Sequence, residues 1–163
     1  MLNKSKIALI GAVAAAGMIS SAANAATVSA TAKVDILAPV TLTQTAGLDF
    51  GVVAAGAAAG TVTLPNSSNV RTCSAGLACV GAAQRGTFDV VGANGYTVAI
   101  TVAASTSLTG PGTAMALALN PSATTVAATG TAQTFYVGGT LTVGAAQTAG
   151  TYTGTYNVSA NYQ

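Results

Sequence analysis

Histidine, tryptophan and glutamate are all missing from this chain of 163 residues, and only 5% of it is charged. Without histidine, a Ser-His-Asp arrangement cannot form. Without glutamate, acid–base work would fall to Asp, Tyr or, outside the leading Lys4 and Lys6, to Lys33. Metal sites lose their commonest ligand, and two cysteines cannot close a tetrahedral zinc site. A net charge of +2 does not supply the basic face that nucleic acid requires. Aromatic residues are also scarce, at 5%. The chain therefore reads as neither an enzyme nor a nucleic-acid binder, and no cofactor or metal is expected.

Half of what is present is hydrophobic, 51% of the residues, and the first stretch of it reads as an address. Lys4 and Lys6 precede the apolar run IALIGAVAAAGMI, and Ala23-Asn24-Ala25 fits a small-x-small cleavage site. Residues 1–25 are thus expected to be a cleaved secretory signal peptide. The apolar run is shorter than the roughly 20 residues a membrane-spanning helix needs. Removal leaves Lys33, Arg71 and Arg85 against Asp35, Asp49 and Asp89, a neutral chain. Neutrality favours association over monomeric solubility. Export also means an oxidising compartment, so Cys73 and Cys79, in RTCSAGLACV, are expected to form a disulfide. Closing so short a loop contributes about 2 kcal/mol in the chain-entropy model. The spacing does not match a CxxC redox pair.

After residue 26 the period is two, with many Val and Thr, which predicts half-buried strands. Residues 27–37 place Val28, Ala30, Ala32, Val34 and Ile36 on one face and Thr27, Ser29, Thr31, Lys33 and Asp35 on the other. Further strands are expected over residues 40–43, 48–53, 61–64, 87–91, 96–102, 115–119, 135–143 and 151–162. Asn94-Gly95 is a hairpin signal. Gly138-Gly139 predicts a bulge or bend. The Ala-rich stretch of residues 54–60 is too short and too rich in Gly for a helix. Seven to nine short strands separated by turns predict an all-β, immunoglobulin-like β-sandwich over residues 38–163. An outer-membrane barrel would need larger lipid-facing side chains and aromatic girdles.

The segments ATAKVDILAPVTLTQTAGLDFG, GTFDVVGANGYTVAI and TFYVGGTLTVGAAQTAGTYTGTYNVSANYQ are similar to the opening, centre and ending of the secreted bacterial domains called domain of unknown function 4402. More distantly, LDFG (48–51) and AGTYTGTYNVSANY (149–162) resemble spore coat protein U and the Csu-type archaic pilins. That resemblance implies immunoglobulin-like subunits assembled by strand exchange, with a periplasmic chaperone and an outer-membrane usher as partners. Those pilins usually carry a Cys shortly after the N-terminal strand, whereas residues 40–48 here have none.

Residues 26–37 form the longest uninterrupted alternation near a terminus, with no Gly or Pro before Pro39. Such a strand suits a groove between two sheets, where main-chain hydrogen bonds and alternate side chains act together. The near absence of charge also leaves sheet edges without the Lys and Asp that normally blunt them. The expected function is a structural subunit of an extracellular fibre, a homopolymer joined through Val28, Ala30, Ala32, Val34 and Ile36. The alternative is a monomeric, adhesin-like binding module on the cell surface. Tyr96, Tyr136, Tyr152, Tyr156 and Tyr162 are expected to serve packing rather than a sugar-stacking platform. Asp35, Asp49 and Asp89 are scattered along strands, which argues against a calcium loop.

Overall fold

The computed structural model describes residues 25–163, so the expected signal peptide lies outside the described residues save for Ala25. The chain divides into two units, Met1–Asp35 and Ile36–Gln163. In the described part of the first unit, residues 25–35 carry no helix or strand and their side chains are exposed. Lys33 Nζ lies 3.0 Å from Asp35 Oδ2, as two same-face neighbours of an extended chain would. The strand expected over residues 27–37 is therefore not formed. A single strand with no neighbour cannot satisfy its own N–H and C=O groups, so alternation alone does not fix it.

The second unit holds twelve strands among the described residues: β1 (Thr41–Ala46), β2 (Val52–Ala54), β3 (Gly60–Leu64), β4 (Thr72–Cys73), β5 (Ala78–Val80), β6 (Gly86–Val91), β7 (Thr97–Val102), β8 (Ser105–Leu108), β9 (Met115–Pro121), β10 (Thr125–Ala127), β11 (Gln133–Val143) and β12 (Val158–Tyr162). No helix occurs among the described residues. One sheet runs β1-β6-β11-β3-β4, with β9 paired to β11 and β8 to β9. A second runs β10-β7-β12, and β2 and β5 form a two-stranded ribbon. All pairings are antiparallel.

The alternation drives this arrangement. In β6, Gly86, Phe88 and Val90 are buried while Thr87, Asp89 and Val91 are less so. In β11, Phe135 and Val137 point the same way and stack on β6, the Phe88 and Phe135 rings lying 5.3 Å apart. Val98 and Ile100 of β7 close this core from the other sheet. A second cluster gathers Phe50, Val62, Leu64, Met115, Leu117, Leu141 and Val143. Two sheets with facing apolar sides are a β-sandwich. Its order matches the immunoglobulin scheme: β1, β6, β11 and β9 take the places of A, B, E and D, and β7 and β12 those of C and F. Among the described residues no strand occupies the place beyond β12, where G would pair.

Three local expectations are corrected. Asn94-Gly95 does not close a hairpin: Gly95 has a φ of +84°, but β6 and β7 belong to different sheets. Both edges of β6 are taken, by β1 and β11, so the turn carries the chain across the core instead. Gly138-Gly139 is no bulge against β9, since the register from Val137↔Pro121 to Leu141↔Leu117 is unbroken. The glycines sit where β11 passes from β6 to β3, and a Cβ on Gly138 would lie 2.5 Å from the Asn66 nitrogen. Residues 48–53 are not one strand, because Gly51 at φ +67° turns the chain between an isolated Asp49↔Gln84 bridge and β2.

Candidate functional site

The free edges lie together. Among the described residues β1 pairs only with β6, and β12 only with β7. Between the β1 side and the C-terminal segment runs an open groove. Its first part, of about 450 Å³, has Leu42, Gln44 and Leu48 on one wall, residues 154–158 on the other and Phe88 on the floor. Its second part, of about 920 Å³, has residues 48–55 on one wall, residues 147–154 on the other and Leu108, Met115, Leu141 and Val143 beneath. Leu48 and Gly154 line both, so the two parts join end to end.

The C-terminal wall was expected as a strand over residues 151–162. Only β12 forms a ladder, and Thr153 bridges to Thr109 with N···O distances of 2.8 and 2.9 Å. Its side chains nonetheless alternate as expected, with Tyr152, Tyr156, Val158, Ala160 and Tyr162 half-buried on one face.

Tyr156 stands edge-on to Phe88, with ring centroids 6.3 Å apart. Its hydroxyl is buried without a hydrogen-bond partner, against the Cα of Gly86, where a Cβ would approach it to 2.6 Å. Burial pushes this phenol's pKa up. Tyr152 is fully engaged: its hydroxyl donates to Thr148 O at 2.8 Å and accepts from Gln147 Nε2 at 2.9 Å. Tyr162 pins the chain before β1, donating to Ala38 O at 2.8 Å and accepting from Ala93 N at 2.7 Å. Tyr96 packs edge-on against Tyr162, and Tyr136 lies under the Arg85 guanidinium at 3.5 Å. The five tyrosines thus occupy four separate settings and do not form one platform.

The wall formed by β2 depends on Arg71. Its Nη1 donates to Phe50 O at 2.7 Å, and its Nη2 donates to Val80 O at 2.6 Å and Val52 O at 3.4 Å. One guanidinium therefore ties the turn before β2 to both strands of the ribbon. Asp49 does not pair with it; its Oδ1 accepts from Gly51 N at 2.7 Å. Asp89 accepts from the Thr134 hydroxyl at 2.6 Å, and Asp35 lies in the first unit. Cys73 and Cys79 form the expected disulfide, with Cα atoms 6.5 Å apart, joining β4 of the main sheet to β5 of the ribbon.

Val28, Ala30, Ala32, Val34 and Ile36 are exposed, Val28 at 91% and Ile36 at 90%. A groove between two sheets was expected from the sequence, but not the residues that line it. Its walls come from residues far apart in the chain, and the one local signal was LDFG, where a Gly follows a buried Phe.

A family model described as domain of unknown function (DUF4402) matches residues 40–162, a span that includes all twelve strands. No curated protein and no solved structure matches the chain.

Proposed function

We propose that this chain, which belongs to the DUF4402 family, is a structural subunit of an extracellular fibre in which residues 26–37 of one copy enter the groove of the next. The observation that carries the reading is the groove itself. Its narrower half lies between the free side of β1 and residues 154–158, which lead into β12, and its wider half between residues 48–55 and 147–154.

The proposed occupant suits that place. Residues 26–37 and the wall at residues 147–158 are equal in length, each able to span about 40 Å when extended. Inserted, the segment would pair with a free edge while its alternate side chains filled the groove, the strand-addition mode of recognition. Val28, Val34 and Ile36 would each gain about 1.5–3 kcal/mol on burial, and the two alanines much less. The five together amount to about 5–9 kcal/mol before the cost of ordering, comparable with the stability of a whole domain. Thr27, Ser29, Thr31, Lys33 and Asp35 would face solvent. The neutral composition and the resemblance of LDFG and AGTYTGTYNVSANY to archaic pilins support the same reading, with export and, as assembly partners, a periplasmic chaperone and an outer-membrane usher. No catalytic step is assigned to the chain.

Lys33 provides the test. It is the one trypsin site in the exposed segment, while Arg71 and Arg85 are hydrogen-bonded into the sandwich. Monomeric protein should lose its N-terminus to trypsin at Lys33, whereas assembled protein should resist. Deletion of residues 27–37 should abolish fibres in electron micrographs of the cells. Normal fibres after that deletion, or a wild-type chain that stays monomeric, would refute strand donation. The second result would favour the adhesin-like module.

A further inference from the structure

We infer that Arg71 and the Asp49-Phe50-Gly51 turn form a positioning unit that sets the depth of the wider half of the groove and so decides how firmly an inserted strand is retained. The inference rests on the strand-donation reading and deepens it, because it names the residues that shape the acceptor.

The β2 wall is inherently weak. β2 and β5 are three residues each, and a two-stranded ribbon is marginal by itself. Its register, Val52↔Val80 to Ala54↔Ala78, leaves it outside both sheets. Val52 and Val80 turn their side chains to solvent, 62% and 57% exposed, so apolar burial anchors them little. Beyond the partial packing of Val53, Leu77 and Cys79 against the core, the ribbon has a covalent and a polar tie to the main sheet. One is the disulfide from β4 to β5. The other is Arg71, next to Thr72 of β4, whose guanidinium donates to carbonyls on both sides of the ribbon and to Phe50.

The turn is shaped for this guanidinium. Gly51 adopts φ +67°, where other residues are strained, and a Cβ there would overlap Arg71 Nη1 and the Ala82 carbonyl oxygen. Asp49 holds the turn from the other side, its carboxylate on Gly51 N and its backbone bridged to Gln84 at 2.7 and 2.8 Å. Phe50 then enters the core, and Val52, Val53 and Ala54 emerge as the groove's wall. This accounts for LDFG as a device of shape. A carboxylate partner for Arg71 would compete with the three carbonyls, and Asp49 instead accepts from Gly51 N.

The test uses the full mature chain, assembled and then challenged with SDS at rising temperature, with trypsin cleavage at Lys33 reporting release of the strand. Arg71→Met should fold with a wild-type circular dichroism spectrum but release the strand at least about tenfold faster, because three carbonyls lose a charge-assisted donor. Arg71→Lys, which keeps the charge without the fork, should fall between. Release of Arg71→Met at the wild-type rate overturns the inference while leaving strand donation intact. Wild-type chain that never shields Lys33 overturns strand donation and this inference with it. If Arg71→Met does not fold, amide exchange of monomeric Arg71→Lys decides. Exchange at Val52–Ala54 faster by about tenfold, with β6 and β11 unchanged, is expected. Unchanged exchange at Val52–Ala54 overturns the inference.

Discussion

Replacing Tyr156 by Phe should stabilise the monomer, an unusual direction for a change in a packed tyrosine. The ring's contact with Phe88 survives the substitution, and only the hydroxyl is lost. That oxygen is buried with no partner. A buried polar group without a hydrogen bond costs about 1–3 kcal/mol, so removing it should return about 1 kcal/mol after the small void it leaves. In a domain of this size that raises the melting temperature by about 2–4 °C. The pH dependence adds a sign. Burial raises this phenol's pKa in the folded state, so the folded chain favours the neutral form. The contribution is fully present below the unfolded value near 10 and is lost as pH rises through the folded value. Wild-type stability should therefore fall above about pH 10 more steeply than that of Tyr156→Phe. Chemical denaturation of both monomers at neutral pH and at alkaline pH measures the two effects. A Tyr156→Phe protein that is less stable at neutral pH, or that loses stability in alkali in parallel with wild type, would refute the reasoning.

Three further comparisons probe the sandwich. Gly138→Ala should cost about 2–3 kcal/mol, since its Cβ meets the backbone of Leu64 to Asn66, whereas Gly47→Ala, with open space around it, should be neutral; urea titration separates them. Serine at both Cys73 and Cys79 should lower stability by about 2 kcal/mol, and the same loss should appear in wild type under a reductant. Ala146→Gly should gain about 0.5 kcal/mol, because Ala146 sits at φ 45° and relief of that strain exceeds the entropy cost of glycine; thermal melts read the difference.

The strands were legible wherever both faces of the chain had different work to do. Residues 87–91, 96–102 and 135–143 were placed to within two residues because their apolar side chains meet across one core. What pattern could not show was partnership. Asn94-Gly95 gave the correct turn but the wrong connection, since the edges that β7 might have used were already taken by strands distant in sequence. β4 and β5 were invisible because two or three residues cannot establish a period. The lining of the groove was illegible for another reason: an unpaired edge is a property of what is not beside a strand. Residues 27–37 show the converse, a clear strand pattern that remains without a ladder.

The two core clusters give the strand-donation reading its energetic logic. They are separate, and among the described residues only the half-buried Leu119 packs against both. The groove passes over each in turn, with Phe88 beneath one end and Met115, Leu141 and Val143 beneath the other. A strand laid along its length would touch both and make them one continuous core. Insertion should then raise cooperativity as well as stability, because neither cluster could open without releasing the same strand. Assembled protein should melt in a single sharp transition well above the monomer, and the monomer should show earlier amide exchange around one cluster than the other. If the fibre unfolded at the monomer's temperature, the inserted strand would not be joining the clusters, and retention in the groove would have to rest on edge hydrogen bonds alone.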